Sequence, residues 1–151
     1  MKELEKIYLL KQTPLFNKVK GDYLMSLAEI MEERYTGIQE TVVKKGDDGE
    51  TLYIVAAGRF EVRNKEQILA HLGIGSLFGE LAAMVPEKRT ASVISLEEGL
   101  LFSLNYDAVR LLILLQPEIG FDIIEYLVRR IRENPYQVYT KSIMSGLPTR
   151  M

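Results

Sequence analysis

The sequence predicts an α+β domain, mainly β, in which a run of short strands is held between two helical ends. Three observations predict it. The first is a change of period: apolar residues recur at helical spacing up to about residue 33, form short alternating or continuous runs over about 34–104, and return to helical spacing over 105–134. The second is punctuation: Gly46, Gly49, Gly58, Gly73, Gly75 and Gly99 fall between or beside the short runs, where turns are needed. The third is size. With 151 residues, 47% of them apolar and 26% charged, the chain can build one proper core and is too short for two ordinary ones.

The elements follow in order. Leu4, Ile7, Tyr8 and Leu10 are roughly helix-spaced, and Pro14 in "TPLF" breaks that helix. Gly21 and Asp22 resemble a helix start, with Leu24, Leu27, Ala28 and Met31 on one face after them. In "RFEVR" (59–63), Phe60 and Val62 point one way and Arg59, Glu61 and Arg63 the other, as in a half-buried strand. "TVVKK", "TLYIVAA", "ILAHL", "TASVIS" and "LLFSL" are similar short runs, and together they predict a sandwich or small barrel. "NYDAVRLLILLQ" (105–116) offers Asn105 as a cap and is apolar on most faces, so it is expected to be buried. Pro117 separates it from a last helix over 118–134, where Ile124, Leu127, Val128 and Ile131 form an apolar stripe. Arg129, Arg130 and Arg132 lie mostly off that stripe and are expected to be a solvated face. Pro135 ends the helix, and 135–151 is weakly patterned, an arm or a loose tail. Residues 1–134 are thus expected to form a single domain.

Composition excludes several functions. A formal net charge of -2 argues against nucleic acid as a direct partner of this chain alone. The absence of cysteine rules out a disulfide scaffold, an iron–sulfur cluster and a thiolate nucleophile, and a lone histidine, His71, does not support a zinc site. "GDDGE" (46–50) lacks the alternating oxygen ligands of a calcium loop and is expected to be a turn. "GIGSLFG" (73–79) places Phe78 where a dinucleotide fingerprint needs its last glycine. No paired carboxylates or nucleophile–base set stands out, so the chain is not expected to be an enzyme or to need a cofactor. No apolar run is long enough to span a membrane, and the N-terminus is a poor signal peptide, which makes a cytoplasmic location the expectation.

One stretch carries chemistry: "FGELAAMVPEKRTASV" (78–93). Gly79 permits a tight turn and close approach to the backbone. "ELAAM" makes one short helical turn that Pro86 stops, and the free N–H groups at its start suit a phosphate. Arg89 can return to the same anion with its planar fork. Glu80 would repel a phosphate, yet a carboxylate accepts from a hydroxyl. Phosphate on amides and arginine, with a sugar hydroxyl on glutamate, describes a ribose phosphate.

The stretch resembles the phosphate-binding cassette of the cyclic nucleotide-binding domain family. The ten-residue step from Gly79 to Arg89 matches, and the likeness extends over about residues 8–134, through "KKGDDGETLYIVAAGRFEV" and "LAHLGIGSLFGEL". The resemblance implies an eight-stranded antiparallel β-roll, a jelly-roll-like double-stranded β-helix, with flanking helices. It implies cAMP or cGMP as ligand, Glu80 on the ribose 2′-hydroxyl and Arg89 on an exocyclic phosphate oxygen. Backbone N–H groups near Leu81, Ala82, Thr90 and Ala91 would complete the cradle, and Val62 and Leu69 would pack against base or sugar. In cGMP-preferring kinases and in channels a threonine at the Thr90 position touches the guanine. The last helix would carry a lid, its residue unassigned, and would move toward the roll on binding. The alternative is a non-sensing module that uses the last helix for a homodimer or an effector domain. The family's transcription regulators add a winged helix after this last helix, and the stretch 135–151 is too short for one. Departures are Ala83, where a larger aliphatic residue is commoner, and "GIQE" (37–40) in place of a Gly-Glu turn.

Overall fold

The computed structural model describes residues 2–133. Helix α1 (Lys2–Gln12) stops one residue before "TPLF", and α2 (Gly21–Ile30) leads directly into the strands. Ten strand segments follow: β1 (Glu32–Thr36), β2 (Thr41–Val43), β3 (Asp48–Gly49), β4 (Thr51–Ala57), β5 (Phe60–Asn64), β6 (Gln67–Leu72), β7 (Leu77–Phe78), β8 (Glu87–Lys88), β9 (Ser92–Ser95) and β10 (Gly99–Asn105). The short helix α3 (Glu80–Met84) sits between β7 and β8, and α4 (Tyr106–Leu115) and α5 (Pro117–Glu133) close the described chain.

Eight strands form two four-stranded antiparallel sheets, ordered β1-β10-β4-β7 and β2-β9-β5-β6. The two-residue strands β3 and β8 pair separately, Asp48 with Lys88 and Gly49 with Glu87. This is the expected roll, with one small extra ladder. Gly49 of "GDDGE" belongs to that ladder and is not simply a turn residue.

Burial explains why "TLYIVAA" shows no alternation. Leu52 and Ile54 of β4 pack into a cluster with α1, α2, α4 and α5, while Tyr53 and Val55 pack into a second cluster inside the roll. Both faces of this central strand are buried, so apolar residues occur at every position. On β10, Phe102 and Leu104 join the helical cluster and Leu101 the inner one. The inner cluster also holds Phe60, Phe78 and Val93, with Tyr53 and Phe78 rings stacked at 5.1 Å.

One sequence expectation fails on the helices. Asn105 does cap α4, its side chain accepting from Ala108 N at 2.8 Å. Yet α4 buries only Val109 and Leu112, while Leu111, Leu114 and Leu115 are exposed. On α5 the buried residues are Ile119 and Ile123, with Tyr126 and Leu127 partly buried, whereas Ile124, Val128 and Ile131 face out together with Phe121. Three members of the stripe read from the sequence therefore face outward while Leu127 packs inward, because α5 carries two apolar stripes and only tertiary packing decides which turns to the core. The expected stop at Pro135 and the tail lie outside the described residues. Among those residues, no helix is long and apolar enough to cross a membrane.

Candidate functional site

Three segments converge at the 79–91 stretch. Phe78 ends β7 inside the roll cluster, and Gly79 turns the chain with φ +76, in the left-handed region. A Cβ on Gly79 would lie 2.6 Å from Thr51 O and 2.7 Å from the Arg89 Nη1. Glycine is required there for both conformation and space. Across the slot, a Cβ on Gly49 would lie 2.3 Å from Arg89 Nε. The guanidinium thus occupies a gap bounded by two glycines.

Arg89 lies between strands, in the break separating β8 from β9. Its own backbone is fixed on the 46–47 turn: Arg89 N donates to Asp47 O at 2.8 Å, and Gly46 N donates to Arg89 O at 2.9 Å. Its Nη2 donates to Thr51 O at 2.8 Å. Among the described residues it forms no ion pair. Burial pushes its pKa below the ordinary value, and the electrostatic influence of Tyr53 and Glu80 offsets only part of that. A half-buried cation without an ion-pair partner favours an incoming anion.

The same stretch of chain carries N–H groups without an acceptor in the helices and strands. Ala83 N donates to Gly79 O at 3.3 Å, so the N–H groups of Leu81 and Ala82 belong to the first turn of α3, where no intrahelical acceptor exists. Thr90 and Ala91 lie in the same strand break, half-buried, and their N–H groups make no hydrogen bond among the described residues. Ser92 accepts from Lys45 N at 2.9 Å, an ordinary strand-edge contact.

Glu80 is 3% exposed. Arg89 forms no ion pair with it. Glu80 accepts instead from Nη1 of Arg130 on α5, whose side chain is 17% exposed. Burial works against the Arg130 charge, but the Glu80 carboxylate and the Tyr126 hydroxyl outweigh it and raise its pKa. Tyr126 is raised as well, by burial and then by the Glu80 charge. Sequence reasoning missed Arg130, placing it on a solvated face. One signal was available: Arg130 continues the Ile119–Ile123–Tyr126 face at helical spacing.

Val62 and Leu69 are not joined to this charge cluster. Val62, on β5, pairs with Ala70 and Val93 and packs on the inner cluster. Leu69 is the extra residue of the β-bulge in β6, between the Val62–Ala70 and Arg63–Ile68 pairs, and is half-buried. A separate groove of about 650 Å³ runs beside α5, lined by Pro14, Lys18, Leu77, Glu125, Tyr126 and Arg130 among others. Neither Glu80 nor Arg89 lines it.

The glycine turn, the start of α3 and the returning Arg89 come together on a β-roll. The profile described as "Cyclic nucleotide-binding domain" matches residues 34–114, more than half of the chain, and the chain belongs to that family. It is 30% identical over 129 residues to the Cyclic AMP receptor protein of Thermus thermophilus, covering 82% of this chain and 60% of the relative. The likeness to a CRP-like cAMP-activated global transcriptional regulator of Mycobacterium tuberculosis is 28%, covering 82% and 58%. The chain spans about three-fifths of the length of these curated relatives. In structure it resembles the N-terminal domain of a transcriptional regulator from Streptomyces coelicolor A3(2). The TM-score is 0.79 at 27% identity, covering 83% of this chain and 94% of that one.

Proposed function

We propose that this chain is a regulatory sensor domain that binds a 3′,5′-cyclic nucleotide, cAMP or cGMP, at residues 79–91. The observation that carries the reading is Arg89: a half-buried guanidinium that forms no ion pair among the described residues, held between Gly49 and Gly79 with Glu80 close enough to influence its charge. The cyclic phosphate sits on Arg89 and those amides, and Glu80 accepts from the ribose 2′-hydroxyl. Val62 and Leu69 flank the sugar and base from the β5–β6 hairpin. The domain acts by binding and holds no reaction of its own. Both curated relatives are named for cAMP, which makes it the first ligand to test. Binding favours the arrangement in which α5 is docked on the roll, by as much as the ligand's affinity for the two arrangements differs.

Titration calorimetry on protein stripped of ligand by unfolding and refolding tests this. Micromolar binding, about -8 kcal/mol, is expected for one or both nucleotides. No heat from either at near-millimolar concentration would overturn the reading.

A second reading concerns assembly. Phe121, Ile124, Val128 and Ile131 are all exposed and recur at alternating three- and four-residue steps, the spacing of a helix–helix seam. This stripe supports a homodimer or an effector contact through α5, with or without nucleotide. Sedimentation of wild type against Val128→Glu checks it: a dimer that the substitution dissociates supports it, and a wild-type monomer at high micromolar concentration removes the homodimer.

A further inference from the structure

We infer that Tyr53 of β4 is a further residue of the nucleotide site: Arg34 fixes its hydroxyl oxygen, and the hydroxyl proton is left to donate to a phosphate oxygen beside Arg89. The inference rests on the reading of 79–91 as a cyclic nucleotide site and adds a side chain from the wall of the roll, outside that stretch.

Hydrogen-bond accounting comes first. Tyr53 is 9% exposed, so its hydroxyl depends on buried partners. The hydroxyl bonds Nη1 of Arg34 on β1 at 3.2 Å. A guanidinium only donates, so the tyrosine oxygen accepts in that bond and keeps its proton. Among the described residues no acceptor takes that proton. A buried donor left unmade is costly, and a ligand oxygen would complete it.

Arg34 is itself well held. The same Nη1 donates to Val42 O at 3.3 Å, Nη2 donates to Glu40 Oε2 at 3.4 Å, and the guanidinium lies 5.8 Å from the centre of the Tyr53 ring. Glu40 in turn accepts from Gly37 N at 3.0 Å. A charged donor on the tyrosine oxygen polarises the O–H bond and makes its proton a better donor.

Placement directs that proton to the cassette. Tyr53 is two residues beyond Thr51, whose carbonyl accepts from Arg89 Nη2 at 2.8 Å, and residues two apart share one face of a strand. The Tyr53 ring stacks on Phe78 at 5.1 Å, and the next residue is Gly79, which bounds the Arg89 slot. Burial lowers the Arg89 pKa, and Tyr53 offsets more of that than Glu80 does. An anion seated on Arg89 thus meets a second side-chain donor, one that carries no charge and is already oriented by Arg34.

The test titrates wild type, Tyr53→Phe, Arg34→Met and the double variant with cAMP, with cGMP and with the two phosphorothioate diastereomers of cAMP, in which sulfur replaces one or the other exocyclic oxygen. Tyr53→Phe keeps the ring and removes the hydroxyl. It should weaken cAMP and cGMP binding about 10- to 100-fold, the worth of a hydrogen bond to a charged group. It should weaken one diastereomer as much and the other hardly at all, because sulfur is a poor acceptor and the hydroxyl reaches only one of the two positions. A role in the fold alone penalises every nucleotide equally. Arg34→Met should weaken cAMP binding about three- to tenfold when Tyr53 is present and change nothing in the Tyr53→Phe background. Unchanged affinity in Tyr53→Phe, an equal loss for both diastereomers, or an Arg34→Met loss that persists without the hydroxyl overturns the inference. Should Tyr53→Phe fail to fold, Arg34→Met decides through the diastereomers: its loss should fall on one of them, and a loss shared by both overturns the proposal. A wild type that binds neither nucleotide overturns the reading of the site itself, an outcome distinct from these.

Discussion

Among the described residues two carboxylates are almost completely buried and both hold an arginine: Glu61 on β5, 5% exposed, and Glu80 at the head of α3, 3% exposed. Glu61 draws its partners from its own hairpin. Arg63 is two residues along, and His71 Nε2 stands 3.3 Å away on the paired strand β6. Glu80 takes Arg130 from a helix 50 residues on. The first cluster exists once the β5–β6 hairpin forms. The second exists only when roll and α5 are docked. Equal burial therefore serves different ends: a local cluster settles the stability of one hairpin, whereas a distant pair makes one element sensitive to another.

Substitutions in the two regions can break or sharpen this contrast. The largest effect is expected from Arg89→Ala, which should cost roughly 2–5 kcal/mol of nucleotide binding, the range for losing one partner of a buried charge-assisted contact. Arg89→Lys should recover only part, lacking the planar fork. Arg63→Ala, the same chemical change at the other cluster, should leave nucleotide affinity within about 0.5 kcal/mol of wild type, as separated sites do. Calorimetry on the three proteins checks the pair. If Arg63→Ala weakens binding as much as Arg89→Ala, the two regions are one unit and the contrast fails.

Next comes Gly79→Ala. A non-glycine residue in the left-handed region costs about 1–2 kcal/mol, and the added Cβ would also press on Thr51 O and Arg89. Denaturant unfolding should show the loss of stability, and titration a loss of affinity beside it. Stability without any change in affinity would mean that the slot around Arg89 is not the ligand's.

Glu61→Gln should be milder, about 1 kcal/mol of stability or less, since Arg63 keeps 34% of its side chain in water and can be hydrated when its partner loses charge. Nucleotide binding should not change. A loss of several kcal/mol in thermal unfolding would show that the hairpin cluster is as demanding as the cassette.

The smallest effect is expected at Thr90→Ala. The cradle uses backbone groups, so cAMP affinity should change little, while the ratio of cGMP to cAMP affinity should fall by a factor worth about 1 kcal/mol, the value of one neutral hydrogen bond. Competition of both nucleotides against one fluorescent analogue measures it. An equal loss for both would assign the hydroxyl to the phosphate or to the fold.

The contrast between local and distant partners also explains what could be foreseen. The change of period placed the roll between helices, Asn105 announced the α4 cap, and "FGELAAM" announced the Gly79 turn with the short helix after it, all from features a few residues apart. What escaped depends on how the elements pack. The alternation in "RFEVR" assigns Glu61 to the outer face and cannot reveal that Arg63 and His71 shield it there. α4 was expected to be buried throughout, because hydrophobicity alone does not reveal that Leu111, Leu114 and Leu115 lack a covering element among the described residues. Arg130 sits in a basic run whose neighbours Arg129 and Arg132 are exposed, and only the docking of α5 distinguishes it from them.

The two apolar stripes of α5 are offset by a single position: Ile123 beside Ile124, Leu127 beside Val128, Arg130 beside Ile131. A turn of about 100° around the helix axis would exchange them. Hydrophobic burial distinguishes poorly between two such settings, since both present branched aliphatic side chains. The Arg130–Glu80 bond belongs to one setting alone. It behaves as a detent on a rotating shaft, fixing which face turns outward and thereby which surface any neighbour of α5 meets.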